Sequence, residues 1–105
     1  MPAMARVKIC GLTDPDMVRR TASMGADWIG LVFHPASPRA VTVEAAETLL
    51  LGMGQSTPVA LLVDPDDSLV SRVAALDFPV LQLHGRETPA RVAEIKAKTG
   101  AGVWK

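Results

Sequence analysis

The chain has 105 residues, which is the size of one domain at most. Hydrophobic residues make up 49% of it, which predicts a globular fold, and 11 basic residues balance 11 acidic ones, which argues against binding to nucleic acid or to an anionic membrane. No apolar run is long enough to span a bilayer, the first residues lack a signal-peptide pattern, and one cysteine excludes an internal disulfide. We therefore expect a cytoplasmic protein.

Strand and helix patterns alternate along the chain. Short apolar runs, several of them hydrophobic on both faces, predict five strands at residues 6–10, 27–33, 58–64, 78–85 and from 102 onward. Between the strands, helical spacing predicts helices whose buried residues include Ala46, Leu49, Leu50, Leu69, Val70, Val73, Ala74, Val92 and Ile95. Repeated units of this kind predict a parallel sheet covered by helices.

Capping residues predict where these helices begin and end. Thr13 or Asp14 caps the first helix, Thr42 caps the second, and the stretch "DPDD" starts the third. Thr88 starts the fourth helix, and Gly100 ends it.

Two architectures fit this alternation. Length favours an open, doubly wound sheet of five strands, because a (β/α)₈ barrel usually needs at least about 200 residues. The last residues favour the barrel, because Trp104 and Lys105 lie in a strand with no helix after it, which would leave an apolar strand edge exposed. We therefore interpret the chain as the first part of a longer fold.

Polar residues occupy one face of two predicted strands. Strand alternation puts Lys8 and Cys10 on one face of the first strand, and Gln82 and His84 on one face of the fourth. Cys10 and His84 lie at the carboxyl ends of their strands, where parallel α/β folds bind ligands. Cys10, His34 and His84 lack zinc-ligand spacing, so no metal site is predicted.

Each candidate residue has a structural alternative. Cys10 is either a small buried hydrophobic residue or a base or nucleophile whose thiolate Lys8 would favour. His84 could be satisfied by the backbone at the strand end, whereas Gln82 is unusual in a core and favours a polar ligand. Arg39 is either an exposed loop residue or a partner for a carboxylate or phosphate.

Three motifs resemble those of the phosphoribosylanthranilate isomerase family of tryptophan biosynthesis. They are "KICGLTDP", then "GADWIGLVFHPASPR" followed by "AV", and then "LQLHGRE". Their order and spacing also agree, and the resemblance runs from about Val7 to Lys105.

The resemblance implies a (β/α)₈ barrel that carries out an Amadori rearrangement without a cofactor. N-(5-phosphoribosyl)anthranilate would be isomerised to 1-(2-carboxyphenylamino)-1-deoxyribulose 5-phosphate. In the family's motifs the cysteine, here Cys10, is the general base on the sugar C2 proton, and the arginine, here Arg39, holds the anthranilate carboxylate. Gln82 and His84 line the same pocket, and Lys8, on the same face, is also counted as substrate-binding.

The resemblance also implies that this sequence holds only part of the active site. The family's general acid is an aspartate on the sixth strand, and its phosphate site lies after the seventh and eighth strands. We therefore expect residues 1–105 to be the N-terminal half of one barrel domain, truncated at its C-terminus and inactive alone.

Two other functions remain open. One is a non-catalytic half-barrel module that self-associates through its open strand edges, which a size measurement would detect. The other is a cysteine–histidine hydrolase on an open sheet, although the chain lacks the usual nucleophile-elbow motif.

Overall fold

A computed structural model describes residues 6–105, and all the predicted elements are present in it. The strands are β1 (Lys8–Cys10), β2 (Trp28–Val32), β3 (Thr57–Leu62), β4 (Val80–Leu83) and β5 (Gly102–Trp104). The helices are α1 (Pro15–Ser23), α2 (Val43–Leu50), α3 (Asp67–Ala74) and α4 (Pro89–Thr99). The third strand ends earlier than predicted, and Asp64, with a φ of +43°, lies in a left-handed conformation that a strand does not allow.

The predicted helix starts are confirmed. Asp14, rather than Thr13, caps α1, and its side chain accepts hydrogen bonds from two backbone amides of the first turn. Thr42, Asp66 and Thr88 cap the other three helices in the same way. Gly100 ends α4 with a φ of +67°, a conformation that glycine adopts without strain.

The sheet is parallel, and its strands lie in sequence order from β1 to β5. A doubly wound sheet reverses its strand order part-way, so that alternative is wrong for this chain. Sequential order with right-handed crossovers puts all four helices on one face of the sheet. This is the winding of a (β/α)₈ barrel wall.

The main hydrophobic core lies between the sheet and the helices. The strands contribute side chains that are almost fully buried, namely Ile29, Leu31, Ala60, Leu62, Leu81 and Leu83. The helices contribute Val18, Ala46, Leu49, Val70, Val73 and Ile95. Burial of each large aliphatic side chain is worth about 1.5–3 kcal/mol, so this layer accounts for much of the stability. The predicted helix faces are therefore confirmed, although Leu50, Leu69, Ala74 and Val92 are only partly buried.

The outer surface beside β1 is apolar and open. Val7, Ile9, Met17 and Met24 are exposed around a groove of about 290 Å³, and Met24 is 85% exposed. Within the described residues, β1 pairs only with β2, and β5 pairs only with β4. Of the helices in residues 6–105, none has the length and apolarity needed to cross a bilayer.

Candidate active site

The register of the sheet brings three predicted site residues to one face. Residues paired in a parallel ladder point to the same side, and every second residue of a strand shares that side. Cys10 pairs with Gly30, and the same row reaches Val80 on β4. Lys8 and Gln82 each lie two residues from this row. The alternation predicted from the sequence is therefore confirmed for Lys8, Cys10 and Gln82.

This face is concave. In a flat sheet β1 and β4 would lie about 14 Å apart with their side chains parallel. Instead, the Lys8 ammonium on β1 donates a hydrogen bond to the Gln82 side-chain oxygen on β4. Trp28 on β2 likewise meets Trp104 on β5 edge to face, with their ring centroids 5.6 Å apart. We call the surface formed by these four residues and Cys10 the concave face.

The thiol of Cys10 lies over Gly30. A Cβ atom added to Gly30 would stand 2.8 Å from Cys10 Sγ, which is closer than a real Cβ atom comes to a non-bonded neighbour. Glycine at position 30 therefore makes the room that the sulfur occupies. Cys10 itself is half-buried, so the thiol is neither a fully enclosed core group nor a surface group.

We expect Gly30→Ala to lower the free energy of unfolding by about 1–3 kcal/mol, because the added methyl group overpacks against Cys10 Sγ. Most of that loss should disappear when Cys10 is alanine in the same protein, since its Cβ is 3.4 Å from the new atom. Urea unfolding of both single variants and the double variant measures this coupling.

Gly102→Ala is the matched control. Gly102 lies in the same row of the sheet, but an added Cβ would come no closer than 3.6 Å to the Pro79 carbonyl oxygen. Gly102→Ala should therefore lower the free energy of unfolding only slightly, whether residue 10 is cysteine or alanine. Equal losses for Gly30→Ala with and without the thiol would contradict the placement of the sulfur.

Lys8 contacts residues of β4 and β5. Its ammonium contacts Gln82 and lies 5.6 Å from the centroid of the Trp104 ring, a cation–π contact. Within residues 6–105, no hydrogen bond joins Lys8 to Cys10. An effect of Lys8 on the thiol stays a prediction, whereas its contact with Gln82 is direct. No group of three metal-ligating side chains occurs in the described part of the chain.

Arg39 lies beside the end of β1. It belongs to the loop between β2 and α2, which returns to the sheet through a hydrogen bond from the Val41 amide to the Val32 carbonyl oxygen. Its side chain covers Gly11, where an added Cβ would stand 2.7 Å from Arg39 Cδ. Gly11 has a φ of +88° and directly follows Cys10. The exposed guanidinium group is therefore near the carboxyl end of the strand that carries the thiol.

His84 directly follows β4, and its side chain is exposed. Its backbone amide donates to the Leu62 carbonyl oxygen over 2.9 Å, which extends the sheet ladder by one step. Its imidazole has no hydrogen bond to another described residue. The structure thus gives no support to the alternative in which backbone groups at the strand end satisfy this ring.

Comparison with known proteins decides the family. A family model for N-(5'-phosphoribosyl)anthranilate (PRA) isomerase matches residues 7–105. The chain belongs to this family. Its fold accordingly corresponds to part of the (β/α)₈ barrel of phosphoribosylanthranilate isomerases.

Named isomerases are similar over nearly the whole chain. The N-(5'-phosphoribosyl)anthranilate isomerase of Hyphomonas neptunium is 65% identical over 102 residues, which cover 97% of this chain and 48% of the relative. That of Azorhizobium caulinodans is 48% identical over 101 residues, which cover 94% of this chain and 44% of the relative. The chain spans about half the length of the curated relatives it matches.

Solved isomerase structures show the same fold. A structure of monomers generated from the dimeric phosphoribosylanthranilate isomerase of Thermotoga maritima has a TM-score of 0.86 at 29% identity, and the match covers 97% of this chain and 52% of that one. A phosphoribosylanthranilate isomerase in complex with reduced 1-(o-carboxyphenylamino)-1-deoxyribulose 5-phosphate also has a TM-score of 0.86 at 29% identity, covering 95% of this chain and 52% of that one.

Sequence reasoning missed one feature of the chain, the buried carboxylate of Glu87. Its side chain is only 1% exposed. Glu87 Oε2 accepts from the Asp64 amide over 2.7 Å, and Oε1 accepts from the Gly85 amide over 3.0 Å and from Lys105 Nζ over 2.7 Å. Burial acts to raise the pKa of Glu87, but the Lys105 ammonium and the backbone amides outweigh it and lower the pKa to about 2.

No local signal in the sequence points to this arrangement. Glu87 precedes the helix cap Thr88, a position where an exposed acidic loop residue is ordinary. Two of its three donors come from the ends of β3 and β5, which are 23 and 18 residues away along the chain. Only the assembled sheet brings them together. The result is a charged cluster at the same end of the sheet as Cys10, Arg39 and His84.

Proposed function

We propose that this chain is the N-terminal half of a phosphoribosylanthranilate isomerase barrel, and that the complete protein converts N-(5-phosphoribosyl)anthranilate to 1-(2-carboxyphenylamino)-1-deoxyribulose 5-phosphate. One observation carries the proposal: a half-buried thiol at the carboxyl end of β1 on the concave face, in a chain that belongs to this family. The isomerase that binds the reduced product analogue has the same fold, which supports this substrate class.

The proposed chemistry needs a base beside the sugar C2 atom. An acid protonates the ring oxygen, the bond from C1 to that oxygen breaks, and a protonated imine forms between C1 and the anthranilate nitrogen. Cys10 then takes the proton from C2, and the electron pair of the C–H bond forms a C1–C2 double bond. Protonation at C1 and loss of the hydroxyl proton at C2 give the ketone. The acid is expected outside residues 1–105.

Substrate binding is assigned to four further residues. Arg39 would pair with the anthranilate carboxylate, because a guanidinium group matches a carboxylate with two parallel hydrogen bonds and has no ion pair within the described residues. Gln82 and Lys8 would present polar groups from the concave face. His84 would complete the rim from the end of β4. The phosphate site would lie outside this chain.

The open edges support the domain proposal. β1 and β5 each have one side that pairs with no described strand. These sides, and the apolar groove outside β1, fit a wall that other strands and a helix complete. A second half of the same polypeptide would supply them. Pairing with another chain through the same edges is the alternative, in which the 105-residue chain acts as a non-catalytic assembly module. The cytoplasm stays the proposed location.

The test compares two polypeptides. The complete protein, produced from its gene with all the sequence that follows Lys105, should consume the substrate and restore growth of a tryptophan auxotroph that lacks the isomerase. The 105-residue chain alone should do neither. The Hyphomonas neptunium isomerase is the positive control. No turnover by the complete protein beside a working control would refute the isomerase, and Cys10-dependent turnover by the short chain would refute the half-barrel proposal.

A further inference from the structure

We propose that Glu87 is a positioning residue that holds the Gly85 peptide, and through it His84, at the mouth of the concave face. The inference rests on the proposed function, since it concerns how one side of the substrate pocket is held in place. Glu87 itself does not reach into the pocket, because its carboxylate is buried among backbone amides and Lys105.

The Gly85 residue is fixed from three directions. Its amide donates to Glu87 Oε1 over 3.0 Å, and its carbonyl oxygen accepts from Lys105 Nζ over 2.8 Å. Its Cα faces the Asp64 carboxyl group, whose atoms would stand 2.6–2.8 Å from an added Cβ. The amide that precedes Gly85 along the chain, that of His84, is already bonded to β3. The backbone on both sides of the imidazole is therefore held.

Glu87 is the centre of this arrangement. Among the side chains of residues 6–105, it alone joins the loop after β3, through the Asp64 amide, to the turn after β4 and to the end of β5. Asp64, in its left-handed conformation, in turn accepts from the Arg86 amide over 2.8 Å. A nearly fully buried carboxylate is costly unless it is paired and hydrogen-bonded, and here every contact belongs to the loops at the ligand-binding end.

Both carboxylate oxygens of Glu87 must accept hydrogen bonds in this arrangement. Glutamine has nearly the same shape, but one oxygen becomes an NH₂ donor. That donor would face a backbone N–H group or the Lys105 ammonium, and two facing donors repel. Glu87→Gln therefore releases at least one of the three loops without creating a cavity, which makes it the informative variant.

The test is a double-variant cycle in the complete protein. We expect Glu87→Gln to raise KM for the substrate by about 3–10-fold, and to change KM less than about 2-fold when His84 is already alanine, because Glu87 acts through His84. A purely stabilising role would lower the melting temperature equally in both backgrounds and leave KM unchanged. Glu94→Gln is the matched control: Glu94 lies on α4, is 52% exposed, and within the described part of the chain pairs only with Arg91.

Three results would overturn the proposal: an unchanged KM in Glu87→Gln, equal KM changes with and without His84, or an equal change in Glu94→Gln. If Glu87→Gln does not fold, Lys105→Met replaces it, because Lys105 is 47% exposed and its loss leaves two donors on Glu87. Lys105→Met is then expected to raise KM, and to change KM less when His84 is already alanine.

A spectroscopic readout separates this proposal from the proposed isomerase activity. If the wild-type protein turns over no substrate, the activity is refuted, but NMR still measures the placement of His84. Its ring and amide resonances should shift in Glu87→Gln and stay in place in Glu94→Gln. Resonances of His84 that do not move in Glu87→Gln would refute the positioning role whether or not the protein is active.

Discussion

Replacing Cys10 with alanine is expected to lower kcat of the complete protein by about 10²–10⁴-fold, with a much smaller change in KM. General base catalysis contributes a factor of this size, and removal of a proton from carbon needs a base held beside it. Cys10→Ser should also lose most activity, because a hydroxyl group releases its proton far less readily than a thiol. Steady-state kinetics with N-(5-phosphoribosyl)anthranilate measures both.

The matched control is Ile9→Val. Ile9 is the neighbour of Cys10 on β1, but it points to the opposite face of the sheet, away from Lys8 and Gln82. Ile9→Val should leave kcat unchanged, and thermal unfolding should show that Cys10→Ala, Cys10→Ser and Ile9→Val are all folded. An alanine variant that keeps more than about a tenth of the wild-type kcat would contradict the role of the thiol as base.

Strand periodicity predicted well which side chains of a strand share the concave face. A period of two residues is set by the pleat itself, so the shared side of Lys8 and Cys10 followed from five residues of sequence. The same rule placed Gln82 on this face from the alternation of its own strand. These predictions needed no knowledge of how the strands are ordered, since each depends only on its own strand.

Contacts between distant strands were beyond such reasoning. The hydrogen bond between Lys8 and Gln82 spans 74 positions and exists only because the sheet curves. The sequence pattern left both a doubly wound and a barrel winding open, and these bring different strands together. For the same reason the pattern gave no sign that Lys8 contacts Gln82 and the Trp104 ring. The effect of Lys8 on the Cys10 thiolate stays a prediction.

The cluster around Glu87 was hidden for a second reason. Hydrophobic patterning identifies buried apolar residues, and it assigns a charged residue before a helix to the surface. Burial of this carboxylate depends on donors supplied by Asp64, Gly85 and Lys105. None of these positions is unusual by itself. The role of Arg39, in contrast, stays a prediction that rests on a motif and on its place beside Gly11.

The stability of the protein at acid pH is expected to depend on Glu87. Its pKa is lowered from an ordinary 4.5 to about 2 in the folded chain, so the unfolded chain binds the proton more tightly. The stabilisation is therefore fully present above pH 4.5 and is lost as pH falls from 4.5 towards 2. The difference between the two pKa values of Glu87 corresponds to about 3 kcal/mol of stability, of which about 2 kcal/mol is lost by pH 3.

Urea unfolding of the wild type and of Glu87→Gln between pH 3 and pH 6 measures this contribution. The wild type should be more stable by several kcal/mol at pH 6, and the difference should shrink by about 2 kcal/mol at pH 3. Asp67, whose pKa is lowered by its hydrogen bond to Arg91 and by Lys98, is present in both proteins, so its contribution cancels. Glu94→Gln, which removes a carboxylate that is 52% exposed, should differ little in stability from the wild type at pH 6. Parallel curves for the wild type and Glu87→Gln would mean that the Glu87 carboxylate is not selectively stabilised in the folded chain, and the lowered pKa would be wrong.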